Sequence, residues 1–599
     1  MSVRLALAKH MPWLRSILLM LFAVSPAFMI FPESLSNTES AFRLFTVAAA
    51  SYISFLCIIY IAEVSKLIEA RVAALTIMAT CYCTWYIIGF YRLYSGTIIR
   101  IEILTENYDI ALQTIVKVFG LHILILSLGL IVSGWMACFF MSKRSGVQVQ
   151  KVRRYIAGRR NTFALLLLAC VFVGTTFHKG MFDIANANVI EPHNLPAYMP
   201  VLPGLPTGSE DSIFYLQLES GNAAVITQPA EIDGRSYTGT YNPSIAEISK
   251  DGVYFPQFWG NSTFTVRAWE NILCSITGNI RISFAQRLDA LTGKCLPEIF
   301  KDAGYTTIFI KNHDLSFRGA EHFAKKIGFL ETHNKDLVPP DTKVYDWGYD
   351  DCSMYRGIFK YLREKYPDGQ KLFVYIAVSS HHTPFTPKED YAYTHAFPNP
   401  SHPVEQYLNS YLEQDECTKV FYEEYKAYRN EKTHLFISPD HAVPMKNSSG
   451  KELFPSTIAR EQFLIHWTYI PSEERKEEFR VGEHITTRFS ETDIAPTILS
   501  ILSRTPVPQS FDQALRKDAE PIDPNSRCAI LINPYSGLII TAVHGEKLIV
   551  FNTLLSRMSV FDLTLDPLGH TPVMSFMTTI KEFQRQYYCD YLAHQQIIP

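Results

Sequence analysis

No basic tail, no low-complexity tract and no internal repeat occurs anywhere in the 599 residues. A formal net charge of −3 supplies no positive field for a polyanion, so nucleic acid is not an expected partner. Absent too, beyond about residue 178, are the long uncharged apolar runs that crowd the first third of the chain. A composition 48% hydrophobic and 13% aromatic is therefore divided between two unlike halves. At this length more than one domain is expected.

Five apolar stretches in the first third read as membrane spans: about Trp13–Phe31, Ala41–Ala62, Val72–Tyr91, Val118–Met141 and Thr162–Phe177. Each approaches the ~20 residues that cross a bilayer core. A cleavable leader explains the first but not the four that follow. The loop between spans four and five carries Lys143, Arg144, Lys151, Arg153, Arg154, Arg159 and Arg160 and no acid. Such loops stay in the cytoplasm, which sends everything after about His178 to the outer side. A transporter needs intramembrane ionisable residues as an ion or substrate path, and Glu63, at the edge of span two, is the main candidate here, which argues against that reading. Six cysteines (274, 295, 352, 417, 528 and 589) lie beyond the spans. In an oxidising compartment they form disulfides, with Cys274–Cys295 the first candidate, or remain buried thiols.

The expected organisation is a five-span helical bundle over 1–178, a proline-rich connector over 179–210 and an extracytoplasmic α/β domain over 211–599. Ile213–Leu218, Thr306–Ile310, Leu372–Val378 and Leu435–Ser438 read as buried strands. Ala268–Ile276 and Met354–Tyr366 read as helices between them. That alternation predicts a mostly parallel sheet, with ligands bound beyond the carboxyl ends of its strands.

Acidic groups stand at two such ends. Glu219 follows IFYLQL, and Asp440-His441 follows HLFIS after one proline, about 220 residues later. They are either ordinary polar loop residues or the ligands of one divalent ion. Carboxylate plus imidazole suits zinc or manganese, and magnesium less well. In Gly260–Gly278 (GNSTFTVRAWENILCSITG), apolar residues recur at helical spacing, and Gly278 is a plausible stop. Thr265 then sits at or just before the helix amino terminus. It is an ordinary cap there, or a hydroxyl placed where a phosphate is favoured.

Four further stretches carry a resemblance. Tyr241–Phe255 (YNPSIAEISKDGVYF) is similar to the sulfatase-type TPNLDRLAxEGxxF element, and Leu296–Tyr305 (LPEIFKDAGY) to LPxxLKxAGY. Ser490–Leu499 (SETDIAPTIL) is similar to SxxDIxPTLL, and Val560–Pro567 (VFDLTLDP) to a late LYDLxxDP turn. In this order they resemble the alkaline-phosphatase/sulfatase superfamily. With five spans and a threonine, the chain resembles lipoteichoic acid synthases and related phosphoglycerol transferases, and also lipid A phosphoethanolamine transferases. That resemblance implies Glu219, Asp440, His441 and Thr265 as metal ligands, with Thr265 the nucleophile and His382 of Ser380–Pro384 (SHHTP) contacting the transferred group. Arg267, His381, Asn312 and His313 are further substrate-contact candidates, each with a structural alternative. The implied donor is a membrane phospholipid and the acceptor a cell-envelope glycan or lipid. Phosphoglycerol is the expected headgroup, with phosphoethanolamine transfer, simple hydrolysis or a dead domain as alternatives.

Two departures stand out. Ala442 replaces the glycine usual after Asp-His, and Lys311–Arg318 (KNHDLSFR) matches the synthase substrate motif only loosely. No C/S-x-P-x-R motif stands at Thr265, so a formylglycine sulfatase route is not expected.

Overall fold

The computed structural model describes residues 201–577 apart from 207, 233, 277–292, 317–318, 346, 369–370, 387–395, 444–462, 524–527, 533–538, 553–556 and 566–571. The five expected spans and most of the connector lie outside these residues. Among the described residues no helix is long and apolar enough to cross a membrane.

Seven strands make the central sheet: β1 (Ser212–Leu218), β2 (Val253–Trp259), β3 (Thr306–Lys311), β4 (Glu331–His333), β5 (Leu372–Ala377), β6 (Thr433–Pro439) and β7 (Leu464–Ile470). Their order is β2-β7-β6-β1-β5-β3-β4. Strands β6, β1, β5, β3 and β4 pair in parallel, while β7 runs antiparallel to both β6 and β2. The four strands expected from sequence are the four at the centre. Side chains alternate across a pleat, so one strand feeds two cores. Tyr215, Phe309, Phe373, Tyr375, Phe436 and Trp467 face one layer. Phe214, Leu216, Ile308, Val374, Ile376 and Leu435 face the other. Burial on both faces is why these strands read as unbroken apolar runs.

Helices cover each face. On the first lie α2 (Thr265–Cys274), α3 (Leu296–Asp302) and α6 (Ile494–Ser503). On the second lie α1 (Pro243–Ile248), α4 (Asp351–Lys365) and α5 (Pro403–Tyr428). Helix α4 starts a turn before the predicted Met354 because the Asp350 carboxylate accepts from Ser353 N–H at 2.8 Å and caps it. Helix α2 ends at Cys274, before the predicted stop: Ser275 takes a left-handed conformation (φ 55°), its N–H donating to the Asn271 carbonyl while Ile276 N–H donates to that of Glu270. Gly278 lies outside the described residues. The disulfide Cys274–Cys295 joins α2 to the start of α3, and Cys352–Cys417 joins α4 to α5. A second, antiparallel sheet follows in sequential order: β8 (Cys528–Ile532), β9 (Ile539–His544), β10 (Lys547–Asn552), β11 (Arg557–Asp562) and β12 (Met574–Met577). It packs through Leu531, Val543 and Leu548 against Trp259 and Phe463.

Candidate metal centre and nucleophile

Strands β1 and β6 are neighbours in register, with Leu218 opposite Pro439. The residues that follow therefore leave the sheet side by side. Asp440 N–H donates to Leu218 C=O at 2.9 Å, and Asp440 Oδ1 accepts from Ser220 N–H (2.9 Å) and His441 N–H (2.8 Å). Ser220 bears a positive φ of 56°, a conformation uncommon outside glycine. Gly221 then passes so close to Pro439 that a Cβ would lie 2.3 Å from its Cγ. From α5, Gln414 clasps the Glu219 backbone, its side-chain oxygen accepting from N–H (3.0 Å) and its amide donating to the carbonyl (3.1 Å).

Glu219, Asp440 and His441 thus converge, their ligand atoms within 4.8 Å of one another and all three buried. His441 Nδ1 lies 3.1 Å from the Ala442 carbonyl, which can only accept, so Nδ1 carries the proton and Nε2 a lone pair. Nε2 lies 3.4 Å from Asp440 Oδ2 and 3.7 Å from Glu219 Oε1. Asp440 Oδ2 makes no hydrogen bond among the described residues. Three buried acceptors facing one another call for a cation between them. Burial, then the neighbouring Asp440 carboxylate, push Glu219 well above the usual carboxylate range, while the Ser220 hydroxyl and the Lys311 ammonium oppose this. The donor set of two carboxylates and one imidazole fits a divalent ion.

Thr265 is the first residue of α2, after Phe264 in extended conformation, and Oγ1 stands 3.5 Å from His441 Nε2. The predicted quartet is thereby assembled in space. Ala442 is buried in the core and lies outside the positive-φ residues, so its Cβ imposes no strain where the family has glycine. Asp350, Cys352 and Cys417 also cluster, but both cysteines are tied in a disulfide and offer no thiolate to a metal.

The remaining candidates separate. His382 is half-buried, with Nδ1 donating to the Thr383 carbonyl at 3.0 Å and its ring 4.7 Å from Trp347. His313 lies 5.9 Å from the same indole, and burial followed by the Lys311 ammonium holds it down at about 4. Asn312 is buried and donates to Asp351 and to the Tyr349 carbonyl, so it braces the wall of the site. His381 is caged by Phe385, Tyr407 and Tyr411, with Nδ1 2.8 Å from Ser410 Oγ, in the manner of a packed core histidine. Arg267 is buried, which removes the surface ion pair as an explanation for it.

Sequence reasoning passed over Trp347 and named Lys311 only as the start of the loosely matching KNHDLSFR segment. Lys311 ends the apolar strand TTIFIK, is buried, and lies with Nζ 5.0 Å from the Trp269 ring. A lysine closing such a strand was the available signal. Nothing in the sequence around Trp347 marks it.

A threonine hydroxyl at a helix amino terminus, set beside two buried carboxylates and a histidine at parallel strand ends, sits in an α/β domain of the alkaline-phosphatase type. Residues 212–503, just under half of the chain, match the Sulfatase family model, and this domain belongs to the alkaline-phosphatase/sulfatase superfamily. A solved structure of a protein in the alkaline phosphatase superfamily from Vibrio parahaemolyticus is 17% identical, with a TM-score of 0.53 over 70% of this chain and 96% of that one. That likeness shows the fold. Phosphoglycerol transferase I of Escherichia fergusonii is 30% identical over 93 residues, which is 15% of this chain and 12% of that relative. The integral membrane lipooligosaccharide phosphoethanolamine transferase A of Neisseria meningitidis is 14% identical, at a TM-score of 0.48 over 83% of this chain and 98% of that one.

Proposed function

We propose that the chain is a membrane-anchored, metal-dependent phosphotransferase that passes a headgroup phosphate from a phospholipid, through Thr265, to a cell-envelope acceptor. The observation that carries this is the convergence of Thr265 Oγ1, His441 Nε2, Glu219 and Asp440 at one strand-end cluster. Glu219, Asp440, His441 and Thr265 would hold the ion, with manganese or zinc the best match to the donors and magnesium also admissible. Such an ion supplies charge that lowers a bound hydroxyl's pKa and offsets the charge of the phosphate.

The chain's own residues do the rest. Thr265 Oγ1 forms a bond to phosphorus while the bond to the diacylglycerol oxygen breaks, and that oxygen takes up a proton. An acceptor hydroxyl then attacks phosphorus, the Thr265–phosphorus bond breaks and the threonine regains its proton. With water in the acceptor's place the same steps hydrolyse the ester. The first N–H groups of α2 face the transferred oxygens. His382 binds the phosphate or moves a proton, with Arg267 and His313 as further contacts, Asn312 as a brace and His381 as a support.

For the headgroup, phosphoethanolamine is the better reading than the phosphoglycerol expected from sequence. Half-buried Trp347, packed on His382, offers an aromatic surface that attracts an ammonium. Five spans over 1–178 would hold the domain at the outer bilayer surface, beside its donor.

The test is intact mass of the full-length protein in detergent, wild type and Thr265→Ala, given manganese or zinc with phosphatidylethanolamine or phosphatidylglycerol. A headgroup-phosphate adduct on wild type alone supports the reading, and the productive lipid names the headgroup. Headgroup phosphate released with no acceptor modified identifies a hydrolase. Neither adduct nor release under any condition sinks the proposal.

A further inference from the structure

Glu491 is fully buried yet stands outside the metal centre and its ligands. One of its oxygens, Oε2, accepts from Asn261 N–H at 2.9 Å and from Asn271 Nδ2 at 2.8 Å. Asn261 comes four residues before Thr265 and Asn271 six residues after it. A single oxygen thus ties the connection between β2 and α2 to the helix that carries Thr265. The Asn271 bond opposes rotation of α2 about its axis, and the Asn261 bond fixes where the chain enters it.

The surrounding backbone stiffens this tie. Asn261 Oδ1 accepts from Thr492 N–H at 3.1 Å, and the Ser275 hydroxyl donates to the Thr492 carbonyl. Trp259 N–H donates to Phe489 C=O at 2.7 Å. The Glu491 turn is itself fixed, because Asp493 Oδ2 accepts from Ser490 N–H at 2.9 Å in a capping box. Burying a carboxyl group is costly, and an apolar side chain here would leave the Asn261 N–H and the Asn271 amide without this acceptor. The other oxygen, Oε1, makes no hydrogen bond among the described residues, so packing alone does not explain a glutamate here.

We propose that Glu491 is a positioning residue that holds Thr265 against His441 and the metal ligands. This rests on Thr265 being the nucleophile. The experiment measures the rate of headgroup adduct formation against donor concentration, and manganese affinity by calorimetry, in full-length wild type, Glu491→Ala and Glu491→Gln. Glutamine keeps a side-chain oxygen for both donors and is expected to remain close to wild type. Alanine is expected to lower the maximal rate by about 10²-fold, the cost of a misplacement near 1 Å, with half-saturating donor and manganese affinity unchanged. An unchanged rate in the alanine variant overturns the proposal, as does a loss that tracks lost manganese binding. If the alanine variant fails to fold, Asn271→Leu removes one of the two ties, and an unchanged maximal rate there overturns it equally. Absence of any adduct on wild type instead removes the Thr265 reading, and this inference with it.

Discussion

Asp440→Asn should invert the order of stability between metal-free and metal-loaded protein. Asparagine keeps the oxygen that accepts from the Ser220 and His441 N–H groups and replaces only Oδ2, which makes no hydrogen bond among the described residues. In metal-free wild type two buried carboxylates lie within 4.8 Å of each other. At an effective dielectric near 20 their repulsion amounts to about 3 kcal/mol when both are ionised, which sets the most the variant can gain. Metal at about 100 times its Kd stabilises wild type by about 2.7 kcal/mol, and the variant, with one charged ligand lost, by much less. The assay is denaturant unfolding of the full-length protein in detergent, followed by tryptophan fluorescence at pH 8 with chelator or with manganese. In chelator the variant should be the more stable, and in manganese the advantage should shrink or reverse. A variant weaker than wild type in chelator, or equally stabilised by manganese, would refute the argument that this site is built around a cation.

Thr265→Ala should abolish the headgroup adduct in mass spectra, whereas Thr265→Ser, which keeps a hydroxyl at the same helix end, should form it more slowly. His466 is buried and hydrogen-bonded to Tyr411 at 2.7 Å, and burial holds it down at about 3. Its contribution is therefore present above the unfolded value near 6.5 and is lost as pH falls toward the folded one. His466→Gln should remove about 2 kcal/mol of the stability that wild type loses between pH 7.5 and 5, and parallel curves for the two proteins would contradict this. Ala442→Gly should change manganese affinity little and stability by no more than about 1 kcal/mol, because Ala442 needs no left-handed backbone. A tenfold gain in affinity from glycine would show that the alanine distorts the ligand loop.

The parts of this domain legible in sequence are those where chemistry and pattern coincide. Ile213–Leu218 and Leu435–Ser438 announce themselves because burial on both faces leaves few polar residues in them. Glu219 and Asp440-His441 could be placed because they follow such strands directly. Thr265 could be placed because the apolar spacing after it is helical. Helix α5 was passed over although it runs for 26 residues. Its buried side includes Asn409, Ser410, Glu413, Gln414, Asp415 and Thr418, so no apolar stripe separates inside from outside. Those inward polar groups brace other elements: Gln414 holds Glu219, and Asp415 accepts from Ser244 and Ile245 N–H at the start of α1. Glu491 and Trp347 were hidden for a related reason, since their roles depend on partners far away in sequence.

The pairing of Leu218 with Pro439 makes the sheet a ruler for the two candidate ligands, Glu219 and Asp440. Both carboxylates are measured out from the same rung of a ladder, one by each strand. Deleting a single residue from either strand would draw its ligand back by about 3.3 Å and turn the preceding side chains to the opposite layer. The chain can therefore lengthen or shorten between β1 and β6, across the more than two hundred residues that separate them, without touching the spacing of the two carboxylates. Loops between the two strands are thus free to change length while the two carboxylates keep their spacing.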